Sequence, residues 1–247
     1  MSDHTGAQPS AHGGALAWGA TPAVLHALAA EDIPLTPDER ARANAFAHDA
    51  DRRDFIAAHR LVRALAASII GVPPGTITLL QRCDTCGGPH GRPVLPDHPS
   101  LHISLSHAKG VVAAACGNKP VGIDMERWHL SHPDHSDLDY ALAPAERQRL
   151  QSMAASDTET GAAITPAALA FLRLWVRKEC LVKLGRITLD QLDSVDFSAF
   201  MQTESVAQTA VAHFEHQGLR YSEWLDPELR VVGTAVGDGP FDIHQFR

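Results

Sequence analysis

No stretch of the 247 residues approaches the roughly 18 consecutive apolar side chains that a membrane-spanning helix needs. The first residues, MSDHTGAQPSAHGG, have neither a basic start nor an apolar core, so no secretion signal and no membrane association are expected. Only four cysteines are present, too few for a disulfide framework at this length, and a reduced, cytoplasmic setting is the expectation. A cationic surplus is also missing. The formal charge of -8 makes a poor general partner for nucleic acid. What is there, 45% hydrophobic and 20% charged residues, suits a packed globule and excludes wholesale disorder. The length allows one large domain or two smaller ones.

The charge is divided unevenly. Residues 1–120 carry ten cations and ten anions, so the entire acidic excess lies in residues 121–247, with 11 and 19. Six of the first ten cations fall in one stretch: Arg40, Arg42, Arg52, Arg53, Arg60 and Arg63. Two readings stand side by side. One is a pair of solvated helices; the other is an anion site in one half facing a carboxylate-rich site in the other.

Periodicity predicts a mixed chain. Thr36-Pro37-Asp38-Glu39 reads as a helix start. A second helix is expected over about 50–70, from Phe55, Leu61, Val62, Leu65 and Ile69, and Gly71-Val72-Pro73-Pro74-Gly75 stops it. Strands are expected at Thr76–Leu80, Leu101–Leu105, Val111–Ala115 and Val121–Glu126, then helices near 143–155 and 166–184. After residue 190, SVDF, TAVAHF, LRYSEW and LRVVGTAV read as short strands. Helices followed by strands thus occur twice, which predicts two similar α+β halves meeting near residue 120. Residues 1–15 and 154–164 read as mobile segments.

Three patterns carry chemistry. In the VGIDMERW strand, Asp124 and Glu126 share a face, and two carboxylates so close repel unless a cation or proton intervenes. A hard divalent ion such as Mg2+ answers that need; an acidic strand end in solvent is the plainer reading. In FLRLWVRKECLVKLG, Trp175, Glu179 and Lys183 form one stripe at i, i+4 and i+8. Glu179 and Lys183 make either a surface ion pair or a third metal carboxylate with a lysine beside it. In LHISLSHAKGVV, Ser106, His107 and Lys109 sit at a strand-to-strand turn that offers amides, a hydroxyl and a cation to an anion. The plainer reading there is an ordinary hairpin. Arg92 lies upstream in a Gly-Arg-Pro turn.

In this order, the GRP turn, the SH turn, the GID-x-E strand and the W-x-x-KE-x-x-x-K helix resemble the surfactin-synthetase-activating class of 4'-phosphopantetheinyl transferases, over roughly residues 36–186. The resemblance implies an α+β pseudo-dimer of two similar α/β halves, residues 15–120 and 121–247, with the active site in the cleft between them. It implies coenzyme A as donor, Mg2+ as cofactor and a serine of an acyl or peptidyl carrier protein as acceptor. The products would be holo-carrier protein, of the kind used in polyketide and nonribosomal peptide synthesis, and adenosine 3',5'-bisphosphate. Asp124, Glu126 and Glu179 match the family's metal ligands. Lys183 matches the helix lysine that assists proton movement, with Glu179 as a candidate base. Ser106, His107 and Lys109 match the turn that grips the nucleotide phosphates, and Arg92 stands where a GKP lysine is usual. Arg40, Arg42 and Arg53 match basic residues near the 3'-phosphate.

The chain departs from the family pattern at Ser104, where Asn is common, and at Ala108, where Ser is common. A long interval between Asp124 and Glu179 implies an insertion over 128–164. Cys83 and Cys86, with His90, His98 and His102 nearby, are also of zinc-ligand type, but a second cysteine pair is absent and zinc is the minor reading. The rival to an enzyme is a non-catalytic coenzyme A or nucleotide-binding module built on the arginines. Such a module has no use for three acids and Lys183 in a metal-site pattern. A site completed within one chain is compatible with a monomer.

Overall fold

The computed structural model describes residues 14–83, 86–89, 91–128, 140–156, 164–201 and 211–247. The chain is mixed α+β. It opens with strand β1 (Gly14–Ala20), helices α1 (Thr21–Ala27), α2 (Pro37–Asn44) and α3 (Asp49–Ile70), and a small hairpin of β2 (Leu80–Gln81) and β3 (Pro93–Val94). Strands β4 (His102–Ala108), β5 (Val111–Gly117) and β6 (Gly122–Arg127) follow, then helices α4 (Pro144–Ser156) and α5 (Pro166–Leu184). The last four strands are β7 (Ala212–His216), β8 (Leu219–Asp226), β9 (Val231–Gly237) and β10 (Phe241–Phe246). No helix among the described residues is long and apolar enough to cross a membrane.

Two four-stranded sheets form, in the orders β10-β1-β5-β4 and β6-β9-β8-β7. All pairings are antiparallel except β1 with β10, so the end of the chain returns to the first sheet. The period-2 alternation of β5 shows how the layers stack. Val112, Ala114 and Cys116 pack under α3, whereas Val111, Ala113 and Ala115 join a core shared with the second sheet. That shared core also holds Leu16, Trp18, Ile123, Met125 and Trp224, with the two indoles stacked at 4.7 Å. Helix α5 covers the outer face of the second sheet. At Gly233 and Gly122 a side chain would collide with the Trp224 ring and the Cys180 carbonyl, so glycine permits both close approaches.

Local chemistry explains the helix ends. Thr36 and Glu39 form a reciprocal capping box at α2, and α3 and α5 end on left-handed Gly71 and Gly185. The strand expected at Thr76–Leu80 is instead a 3-10 turn over Pro74–Thr76 followed by the two-residue β2; the Thr76 amide and hydroxyl both donate back to the Pro73 carbonyl, which draws the start of the expected strand into the turn. SVDF is not a strand either. It joins the 3-10 turns Leu189–Ser194 and Ser198–Phe200, with the Ser198 amide donating to Asp196 and the Phe197 amide to Glu146. Of the expected mobile segments, Gly14 and Ala15 belong to β1 and 154–156 to α4; residues 1–13 and 157–163 lie outside the described residues.

One buried charge cluster ties α2 to α3. Arg63 donates from Nη2 to both Glu39 oxygens at 2.8 Å, from Nη1 to the His59 carbonyl and from Nε to the Ile77 carbonyl, while His59 Nδ1 lies 2.7 Å from Glu39. Burial alone would raise the Glu39 pKa, but the His59 hydrogen bond, the Arg63 charge and the Thr36 amide together lower it to about 2. Arg63 is thus structural, and Arg60 donates to the Ile33 carbonyl, so the six arginines do not form one anion site.

A carboxyl depressed in the folded state stabilises above its unfolded pKa and loses that contribution as pH falls through the folded one. For Glu39 this is roughly 3 kcal/mol, present above about pH 5 and lost toward pH 2. Glu39→Gln should flatten the pH dependence of denaturant-measured stability in that window. Glu39→Ala, which strands the Arg63 charge, should cost about 3–5 kcal/mol at pH 7.

Candidate active site

Alternation along β4 sends neighbouring residues to opposite faces. Ile103 packs under α3, and His107 on the same face meets the Phe55 ring edge-on at 6.4 Å. Ser104 and Ser106 face β6, where the Ile123 amide donates to Ser104 Oγ at 3.1 Å and Ser106 donates to Asp124 Oδ1 at 2.9 Å. Ser106 and His107, adjacent in sequence, therefore serve different groups.

On β6, Ile123 and Met125 enter the shared core, which turns Asp124 and Glu126 toward α5. Glu179 and Lys183 approach from α5, one turn apart. The Lys183 ammonium spends its three donors on Asp124 Oδ1 at 2.7 Å, the Ile123 carbonyl at 3.0 Å and the Leu105 carbonyl at 3.3 Å. The partner of Lys183 is thus Asp124, not the surface pairing with Glu179 that helical spacing allows. Burial opposes its charge, but Asp124 outweighs this and the pKa is raised.

Asp124 is 5% exposed, and its Oδ2 is buried without a hydrogen-bond partner. Glu126 is pushed up to about 7 by burial and then by the Asp124 charge, with Glu179 adding to it. Glu179 is raised by burial and by Asp124. Three acids thus crowd one another around a single lysine. Among the described residues, no three His, Cys, Asp or Glu side chains form a preformed metal cage. The orphaned Oδ2 and the two strained carboxyls are nevertheless the donor set that a hard cation such as Mg2+ would satisfy.

Glu126 also lines a cleft of about 370 Å³ together with Phe46, Asp51, Asp54, His107, Ala108, Lys109 and Arg127. His107 is held toward its neutral form, first by burial; Asp54 opposes this, while Lys183 and Arg42 reinforce it. Arg42 lies 5.2 Å from the Phe55 ring centroid and donates to Gln81 Oε1 and the Pro89 carbonyl. The other expected cations are more dispersed. Arg40 is exposed and donates to the Leu35 carbonyl. Arg53 is exposed on α3. The Arg92 guanidinium lies against Gly185, at the end of α5.

Sequence reasoning missed Asp54, which accepts from the Gly110 amide, and Arg127, which donates to the Lys109 carbonyl at 2.8 Å. No local pattern links residues 56 and 18 positions apart. It also missed that Lys178, next to Glu179, is buried and paired with Glu146 at 2.6 Å. At the CDTC turn, the Cys83 amide donates to the Gly88 carbonyl and the Gly88 amide to Cys86 Sγ. Residues 84, 85 and 90, including the candidate zinc ligand His90, lie outside the described residues.

The pattern of the 4'-phosphopantetheinyl transferase superfamily matches residues 120–234, which contain β6, α5 and all three acids. The matched segment is just under half of the chain. Its transferase class rests on this match together with curated relatives that are themselves 4'-phosphopantetheinyl transferases. The chain is similar to curated proteins at low identity. It is 25% identical over 182 residues to the 4'-phosphopantetheinyl transferase HetI of Nostoc sp., covering 72% of this chain and 70% of that one. It is 26% identical over 150 residues to a 4'-phosphopantetheinyl transferase of Bacillus subtilis, covering 60% and 59%. Against 4'-phosphopantetheinyl transferase psf-1 of Bacillus pumilus it is 29% identical over 147 residues, covering 60% and 56%. The matches thus span less than two thirds of the two Bacillus relatives.

A carboxyl whose folded pKa is raised favours folding fully below its unfolded pKa and loses that as pH rises through the folded value. For Glu126 the loss runs from about pH 4.5 to 7 and amounts to at most roughly 3 kcal/mol. In EDTA, Glu126→Gln should be more stable than wild type at pH 8 and equal to it at pH 4, by thermal denaturation. Added Mg2+ should raise the wild-type melting temperature at pH 8 and leave that of the variant nearly unchanged.

Proposed function

We propose that the protein transfers the 4'-phosphopantetheine arm of coenzyme A to a serine hydroxyl of an acyl or peptidyl carrier protein, releasing adenosine 3',5'-bisphosphate. The observation that carries this is the joining of two sites through Glu126: a crowded acid–lysine cluster on β6 and α5, and the cleft of His107 and Lys109. The two α/β halves act as a pseudo-dimer whose cleft is the active site. Such a site is complete within one chain, and its cytoplasmic substrates set the location.

In this reading the serine oxygen forms a bond to the pantetheine-side phosphorus while the bond to the bridging oxygen breaks, and the nucleotide departs with the electron pair. His107, Lys109 and Arg42 hold the nucleotide phosphates, with Arg92, Arg53 and Arg40 as outlying cations. Asp124, Glu126 and Glu179 would hold Mg2+, which when bound polarises the pyrophosphate and neutralises charge. Glu179 takes the serine proton, and its raised pKa makes it a stronger base than an ordinary carboxylate. Lys183, fixed as a cation by Asp124, balances charge on the leaving nucleotide. Ser106 orients Asp124. A binding module without catalysis explains the cations but leaves the acid cluster without a task.

Mass spectrometry of an apo-carrier protein incubated with coenzyme A should show a gain of the phosphopantetheine mass that EDTA stops and Mg2+ restores. Asp124→Ala should abolish it with the fold intact by circular dichroism; wild-type turnover of that variant in saturating Mg2+ would overturn the ligand assignment.

Lys183→Gln keeps hydrogen bonding but removes the charge. Single-turnover transfer at saturating coenzyme A should fall by about 10²–10⁴-fold across pH 6 to 9, with coenzyme A affinity changing much less. A rate near wild type would reduce Lys183 to a staple between strands.

A further inference from the structure

The hairpin between β4 and β5 turns on Lys109 and Gly110 alone, with Ala108 paired to Val111. Both turn residues have positive φ, 33° and 90°. A two-residue turn of this kind suits glycine at either position, and a lysine there is held against its own preference. Such a turn leaves the amide of its second residue, Gly110, without a partner inside the hairpin.

That amide is satisfied from outside. It donates to Asp54 Oδ2 at 2.7 Å, and the Thr21 hydroxyl donates to Asp54 Oδ1 at 2.5 Å. The other side of the same residue is held as well, because the Gly110 carbonyl accepts from the Thr21 amide at 2.9 Å. Asp54 is 2% exposed and sits on α3 next to Phe55, whose ring meets His107. One buried carboxylate thus links the rigid helix α3, the β1–α1 junction and the tip of the hairpin. The tip carries His107, Ala108 and Lys109 into the cleft that Glu126 and Arg127 also line.

We infer that Asp54 is a positioning residue for the donor substrate: it fixes the His107–Gly110 turn so that the turn can grip a nucleotide phosphate. The inference rests on the transfer activity proposed above and adds a residue to it. Asp54 acts through the Gly110 amide, and its geometry, not its charge, is what the turn requires. An amide side chain serves equally, since its oxygen accepts from Gly110 while its nitrogen donates to the Thr21 hydroxyl.

The test compares Asp54→Ala and Asp54→Asn with wild type in the transfer assay, with amide hydrogen exchange at Gly110 as a second readout. Asp54→Ala should raise KM for coenzyme A about tenfold or more, with kcat changed less than about threefold. It should also speed Gly110 exchange by about tenfold or more. Asp54→Asn should restore both. If Asp54→Ala does not fold, Thr21→Val, which removes one of the two partners, should shift KM in the same direction by a smaller factor. An Asp54→Ala protein, or Thr21→Val in its place, with lower melting temperature but wild-type KM would overturn the positioning role and reduce Asp54 to a structural residue. An Asn variant as impaired as the Ala variant would overturn the geometric role in favour of charge acting on His107. Those results leave the transfer activity standing; a wild-type protein that transfers nothing would overturn the activity, and this inference with it.

Discussion

Everything in the centre of this molecule turns on one ion pair, Lys183 with Asp124. The ammonium reaches the carboxylate of β6 and two main-chain carbonyls, one on β4 and one on β6. The contact therefore joins three elements: the long helix of the second half, the first strand of its sheet and the neighbouring strand of the other sheet. An ammonium with all three donors used in a part-buried setting is costly to disturb, because each acceptor would be left unsatisfied. The pair also sets the local electrostatics. Burial first, and then the charge of Asp124 beside them, pushes Glu126 and Glu179 upward.

The surroundings hold this arrangement rigid by burying further charges, each with a partner. Glu39 sits under Arg63 in the first half. In the second half Lys178 is paired with Glu146, and Glu223 accepts from Arg177. Helix α5 thus presents Arg177 and Lys178 inward and Glu179 and Lys183 toward β6, so a single helix supplies both scaffold and site. Removing a partner from any of the buried pairs strands a charge, which makes these pairs unforgiving of single substitutions.

Close approach is the second constraint. Gly122 lets β6 lie against the Cys180 carbonyl on α5, and Cys180 in turn donates to the Thr234 carbonyl of β9. A bulkier residue at position 122 would lift the strand carrying Asp124 and Glu126 away from the helix carrying Glu179 and Lys183. Gly233 plays the matching part on the other face, where Trp224 must lie flat to stack on Trp18.

Local chemistry determined a good deal by itself. The helix start at Thr36, the stop at Gly71, the period-2 strand around GIDME and the helical stripe of Trp175, Glu179 and Lys183 all follow from residues within one or two turns of each other. That proximity is why they were legible. Asp124 and Glu126 on one face is likewise a matter of strand period alone. The sequence could not say that Ser106 serves Asp124 while His107 faces α3, that Arg63 and Lys178 are buried structural charges, or that β10 returns to lie beside β1. It equally could not tell that Asp54 holds a turn 56 residues away. Those outcomes depend on which sheet face each strand turns to a neighbour and on which distant polar groups lose water together. Only the tertiary structure decides that, because the partner that satisfies a buried charge is chosen by packing and not by spacing along the chain.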